Sequence, residues 1–342
     1  MEVQAVKRID GFMRGVNLGG WMSHEHHDPE HIARYITEED FARIAAMGAD
    51  HVRIPVDFEV FAATADGSEP VGYVYLDKAV AWCAKHGLHL MLDLHKAEGF
   101  SYEAMFNESG LFESEELQQR FYALWDTFAR RYAGDGELVA FELLNEVTDP
   151  DVMPTWNRMA TETMRRIRAI APKNWILVGS YWNNSLDALP ALELPPDDRL
   201  AYVFHCYDPF MFTHQGAYWV TTMPRDYRIS YPHSEGEYAV EAEKIGQDCA
   251  GDRNETRLVD SGYFYRRFER MVRLCEERGV SMCCTEYGVI EQAQDADVLQ
   301  WYRDIHAAFD ALQIGRTAWS YKDMNFGLID RPAIVDELAK NL

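Results

Sequence analysis

Eight short apolar runs recur along the chain, and a stretch with helical spacing follows most of them. The runs are FMRGVNLGG, DHVRIPV, LHLMLDLH, LVAFELLNE, NWILVGS, LAYVFHCY, VSMCCTEYG and GRTAWSY. Between them lie amphipathic stretches such as ITEEDFARIAAMGA, SEELQQRFYALWDTFARRYAG, WNRMATETMRRIRAIAP and YFYRRFERMVRLCEERG. Strands that are apolar on both faces and separated by crossover helices build a parallel sheet covered by those helices. Eight such units in 342 residues predict an α/β chain folded as one (β/α)8 TIM barrel over 1–342, with enlarged loops on one face. An open doubly wound sheet is the rival. It would carry a G-x-G-x-x-G turn after an early strand, and GVNLGGW has a different spacing.

Local signals agree with the barrel. Thr37 stands where it can cap a helix, with Asp40 three positions later. Gly87 stops LDKAVAWCAKHG. Two connections are long, roughly 96–115 and 208–256. The second holds Phe210, Phe212, Tyr218, Trp219, Tyr227, Tyr231 and Tyr238, which suit either a platform for sugar rings or a local mini-core.

In a barrel of this kind the C-terminal strand ends form one face, where active sites sit. Read in order, those ends carry Arg53, His95, Asn145 with Glu146, His205 with Tyr207, Glu286 and Trp319. One polar strand end is ordinary; six with compatible chemistry, far apart in sequence, converge on one mouth. Glu146 and Glu286 both follow strong apolar runs. Cleaving a glycosidic bond needs such a pair, a proton donor for the departing oxygen and a nucleophile or base at the anomeric carbon. The donor should be held protonated beside an ionised partner. Arg53 can hold a carboxylate in place and keep it ionised. Tyr207 can donate to that carboxylate, and Asn145 suits the hydroxyl beside the reacting carbon. His95 and His205 can bond sugar hydroxyls or tune the donor, and Trp319 can cover the apolar face of a pyranose.

Bulk properties narrow the partners. The chain has 33 basic and 56 acidic residues, a formal net charge of -23, which excludes binding through a phosphate backbone and fits a neutral substrate. No run approaches the length of about 20 apolar residues needed to span a membrane. The opening MEVQAVKRIDGFMRG has no apolar stretch suited to a secretion signal. The expectation is a cytoplasmic protein, or a secreted one if a signal preceded this sequence. Cysteines at 83, 206, 249, 275, 283 and 284 lack zinc-like spacing. Four of them, Cys83, Cys275, Cys283 and Cys284, sit in apolar runs and read as inert buried thiols. The cluster HEHHD at 24–28 is not H-E-x-x-H and reads as a polar loop, so neither metal nor cofactor is expected. No G-x-S-x-G motif supports a serine hydrolase.

With these residues in view, the sequence resembles glycoside hydrolase family 5, retaining enzymes built on a (β/α)8 barrel. The resemblance rests on HVRIP at 51–55, LDLH at 92–95, LLNE at 143–146, HCY at 205–207, TEYG at 285–288 and AWSY at 318–321, in that order. It implies double displacement without a cofactor, with Glu286 as nucleophile and Glu146 as acid/base. By the same resemblance, Asn145 contacts the substrate 2-hydroxyl and Arg53 and Tyr207 support the nucleophile. His95 and His205 line the reacting subsite, and Trp319 lies beneath its sugar. RGVNLGGWMSHE at 14–25 resembles the opening of the family's exo-acting β-1,3-glucanases, which puts Glu25 on the terminal sugar. A neutral β-glucan or β-gluco-oligosaccharide is the expected substrate, with linkage open. The alternatives are a β-mannanase or β-mannosidase-type hydrolase of the same fold, a metal-dependent barrel hydrolase and a carbohydrate-binding barrel without catalysis.

Overall fold

All eight apolar runs form strands: β1 Arg14–Asn17, β2 His51–Asp57, β3 His89–Lys96, β4 Val139–Glu142, β5 Ile176–Gly179, β6 Leu200–Cys206, β7 Ser281–Tyr287 and β8 Gly315–Ala318. In this computed structural model they pair in parallel and in sequence order, with β8 returning to β1, so the sheet closes into a barrel. The structure describes residues 7–24, 27–103, 108–247, 254–329 and 331–341. Among these, no helix is long and apolar enough to cross a membrane.

Helices Glu38–Ala46, Val71–His86, Glu115–Tyr132, Met153–Ile170, Ser261–Arg278 and Asp295–Leu312 cover the barrel. The first begins at the expected cap, where the Thr37 amide donates to Asp40 Oδ2 at 2.9 Å. The second ends at Gly87, whose φ of 72° is the left-handed conformation that glycine adopts without penalty. Between β5 and β6 no full helix forms. A kinked turn, Tyr181–Asn184, and a 3-10 segment, Leu186–Ala191, make the crossover instead.

Strand alternation divides the core in two. Val52, Ile54, Leu90, Leu92, Leu94, Phe141, Val178, Phe204 and Cys284 face the helices in the larger apolar layer. The opposite residues point inward, where Met91, Ala140, Leu177, Ala201, Val203 and Cys283 pack with Phe12 and Trp175 in a second cluster. One step further along the strands the inward positions turn polar and stay buried: Arg53, Asp93, Glu142 and His205. On β4 and β6 the inner face is thus apolar only in its first half, while β2 and β8 place the hydrogen-bonded pair His51 and Thr317 inside the barrel, which refines the expectation of apolar residues on both faces.

The 208–256 connection carries the short helices Phe210–Thr213 and Glu235–Lys244. Some of its aromatics form the expected local mini-core. Phe212, Tyr231 and Tyr238 are buried, and Phe212 packs on Tyr231 with ring centroids 5.2 Å apart. Tyr218 and Trp219 stay exposed. The cysteines at 83, 206, 275, 283 and 284 are buried and free; Cys249 lies outside the described residues.

Candidate active site

Arg53 stands at the centre of the mouth, fully buried on β2. Its Nε donates to Glu142 Oε2 at 2.7 Å, and one terminal nitrogen donates to Glu286 Oε1 at 2.7 Å and to Asn17 Oδ1 at 2.8 Å. The other terminal nitrogen reaches Asn145 Oδ1 at 2.9 Å and Asp93 Oδ2 at 3.0 Å. The guanidinium fork is therefore fixed in one plane by five partners from four strands or their ends. Burial acts against its charge, but Asp93, Glu142 and Glu286 outweigh this and hold it well above the usual arginine range.

Glu286 reaches the mouth through an irregularity in β7. Phe204 of β6 pairs with Cys284, yet the next residue, His205, pairs with Glu286. The extra residue is a bulge that offsets the alternation. Cys284 faces the helices, and without the bulge Glu286, two residues on, would share that side. As built, Glu286 receives Arg53 on Oε1 and the Tyr207 hydroxyl on Oε2 at 2.9 Å. Burial raises its pKa, and the neighbouring Glu146 adds to this, while His205 and Arg53 oppose it. Tyr207 is pushed far up by burial and by Glu286, so it is a donor at ordinary pH.

Glu146 follows β4 and takes a left-handed backbone, φ 46°. Its Oε1 lies 2.8 Å from His205 Nδ1, and its Oε2 accepts from Asn183 Nδ2 at 3.0 Å. Burial lifts its pKa to about 7; the Asn183 bond and the charge of Arg53 pull the other way without cancelling the rise. His205, buried, falls to about 4 and is neutral at ordinary pH. One oxygen of Glu146, one of Glu286 and a ring nitrogen of His205 all lie within 4.8 Å of one another.

His95 and Trp319 build one wall. Their rings stack with centroids 5.9 Å apart and planes 4° from parallel. His95 Nδ1 lies 2.6 Å from Asp93 Oδ2, and burial takes its pKa well below the usual histidine value. Gly19 permits the arrangement, because a Cβ there would sit 2.9 Å from the Trp319 ring. His24 joins the wall, with Nε2 2.7 Å from the Tyr102 hydroxyl. Among the described residues, the buried side-chain nitrogen of Asn145 meets no hydrogen-bond partner.

The structure brings together Arg53, His95, Asn145, Glu146, His205, Tyr207, Glu286 and Trp319. Glu25 lies outside the described residues, as does His26. Sequence reasoning missed Asp93, Glu142, Asn17 and Asn183. Asp93 and Glu142 had a signal, a lone acid inside a run otherwise fit for a core. Asn17 and Asn183 had none. Among the described residues, two groups have donor atoms close enough for an ion: Glu146, His205 and Glu286, and His27, Asp57 and Glu59. In the first, Arg53 and Tyr207 already occupy Glu286. In the second, His27 bonds Asp57 at 2.9 Å and the Lys96 ammonium sits on Glu59. The histidines at 24 and 27 thus serve separate contacts and do not converge.

A closed parallel barrel whose C-terminal mouth holds two carboxyl groups in unlike surroundings has the architecture of the barrel glycoside hydrolases. The family model for Cellulase (glycosyl hydrolase family 5) matches residues 10–325. The chain is 39% identical over 306 residues to cellodextrinase A of Ruminococcus flavefaciens, covering 90% of this chain and 84% of that protein. It is 34% identical over 341 residues to endoglucanase C of Acetivibrio thermocellus, covering 97% and 98%. Endoglucanase Cel5A of Thermotoga maritima shares the fold, with a TM-score of 0.73 at 23% identity over 97% of each chain. The chain belongs to glycosyl hydrolase family 5 and is an O-glycosyl hydrolase.

Proposed function

We propose that this hydrolase cleaves β-1,4-linked gluco-oligosaccharides and soluble β-glucan with retention of anomeric configuration, using Glu286 as nucleophile and Glu146 as acid/base. The observation that carries the roles is the contrast between two carboxyls that lie within 4.8 Å, oxygen to oxygen. Retaining enzymes hold the pair about 5–5.5 Å apart and inverting ones about 6.5–9.5 Å apart, with room for a water between. Glu286 has a guanidinium and a phenol on its two oxygens, which favour the anion a nucleophile needs. Among the described residues no lysine or arginine contacts Glu146, and burial lifts it to about 7, which favours the acid a departing oxygen needs.

Glu286 attacks the anomeric carbon while Glu146 gives its proton to the glycosidic oxygen. Glu146, now a carboxylate, then takes a proton from water, and the hydroxide formed displaces Glu286 from the sugar. Asn145, with its free amide nitrogen, is suited to the hydroxyl beside the reacting carbon. Trp319, backed by His95, offers an apolar face to the same ring. The names of the relatives, a cellodextrinase and an endoglucanase, support the β-1,4 linkage and the oligosaccharide substrate.

The test is a product-resolved panel of cellodextrins, β-1,3-glucan, mixed-linkage glucan and mannan, followed by proton NMR of the first product. The expected result is β-configured product, fastest release from cellodextrins, and loss of turnover in Glu286→Gln. An α-configured first product, or near-parent turnover in Glu286→Gln, would overturn the roles. Preference for mannan or β-1,3-glucan would overturn the substrate.

A further inference from the structure

Trp182, Asn183 and Asn184 all have left-handed backbones, with φ of 50°, 56° and 55°. Asparagine tolerates this conformation, but a bulky residue such as tryptophan rarely adopts it unless its surroundings impose it. Here the imposing partner is the turn that follows Glu146. The Trp182 amide donates to the Thr148 carbonyl at 3.3 Å, and the Asn183 amide donates to the Val147 carbonyl at 3.1 Å. The kink is thus tied by its backbone to the segment that carries Glu146.

Its side chains then reach both oxygens of that carboxyl. Asn183 Nδ2 donates to Oε2 directly, at 3.0 Å. Asn184 acts through a histidine: its Nδ2 lies 3.3 Å from His205 Nε2, and His205 Nδ1 lies 2.8 Å from Oε1. An amide nitrogen can only donate, so His205 Nε2 accepts and the ring proton sits on Nδ1. The seat for Asn184 is built in: a Cβ at Gly179 would fall 2.0 Å from its Oδ1. A parallel bridge between Ser185 and His205 holds the two segments in register.

We propose that Asn183 and Asn184 are positioning residues for proton transfer by Glu146. Asn184 selects the His205 tautomer that donates to Oε1, which leaves Oε2, the oxygen beside exposed Asn183, to carry the mobile proton. Asn183 then donates to Oε2 as that proton leaves for the glycosidic oxygen, stabilising the carboxylate as it forms. This rests on the acid/base reading of Glu146 above.

The experiment compares kcat/KM for two aryl β-cellobiosides, one with a 2,4-dinitrophenolate leaving group that needs no proton and one with a phenolate that does. Asn183→Gly keeps the left-handed backbone and removes the donor; Asn183→Asp keeps the side-chain shape and removes the same donor. In both, the phenyl substrate should lose about tenfold, the worth of roughly 1.4 kcal/mol, and the dinitrophenyl substrate should stay within about twofold. The alkaline limb of the phenyl profile should move to higher pH, because the lost donor had favoured the charged carboxylate. Equal losses on both substrates with an unmoved limb would mean a merely structural role and would overturn the proposal. If neither variant folds, nitrogen-15 NMR of His205 in the unaltered enzyme decides: an Nδ1–H tautomer upholds the Asn184 relay and an Nε2–H tautomer overturns it. Glu146→Ala is assayed in parallel. If it lacks the steep leaving-group dependence, the acid/base reading falls and this proposal with it. If it shows the dependence and the Asn183 variants do not, only this proposal falls.

Discussion

Glu146 is the residue on which burial has the clearest consequence. Its pKa in the folded chain is raised to about 7, above its ordinary value, chiefly by burial. A carboxyl raised in this way contributes most to stability below its unfolded pKa, and that contribution is lost as pH rises through the folded value. Glu146→Gln cannot ionise, so it should match the parent near about pH 4 and exceed it at about pH 8, by on the order of 2–3 kcal/mol. Urea denaturation at the two pH values measures this. The parent's turnover should in turn fall as pH rises through about 7, where the proposed donor loses its proton. Arg53 is the opposite case. Removing it in Arg53→Ala leaves Asp93, Glu142 and Glu286 buried without their shared cation, at a cost of about 3–5 kcal/mol. A shift in the denaturation midpoint corresponding to less than about 1 kcal/mol would contradict that picture.

At the scale of elements, the eight strands and the helix signals were legible because each strand needs a continuous apolar outer face against the helices. Glu146 and Glu286 stood out for a related reason, as acids at the ends of such runs. Asp93 and Glu142 lie inside the runs, and their inward direction follows from strand alternation only once the barrel is known to be closed. The β7 bulge left no mark on the sequence, since an extra residue looks the same as any other strand residue. Asn183 sits after β5 on a kink held by long-range hydrogen bonds, which no local pattern encodes. The close approach of Gly19 to Trp319 is likewise visible only in three dimensions. Gly19→Ala should push the indole off its seat on His95, raising KM for cellodextrins about tenfold or more, equivalent to roughly 1.4 kcal/mol of lost ring contact. An unchanged KM would show that the wall yields without consequence.

For the whole molecule, the net charge of -23 surrounds a mouth whose proposed substrate is uncharged. Electrostatic steering acts on charged ligands, so kcat/KM on cellodextrins should change by less than about twofold up to about 1 M salt, where screening shortens to about 3 Å. A steep salt dependence would point to a charged group on the true substrate. The bulge in β7 has a consequence for how such a barrel changes over time. Both carboxyl side chains could be retained and the proposed nucleophile still be lost, because the same residues in a regular β7 would turn Glu286 to the helix side of the wall. The mouth would keep Arg53, His95, Asn145 and Trp319 and would still offer a sugar its hydrogen bonds and its apolar face. In this architecture a lectin and an enzyme could share every side chain and differ only in the register of one strand.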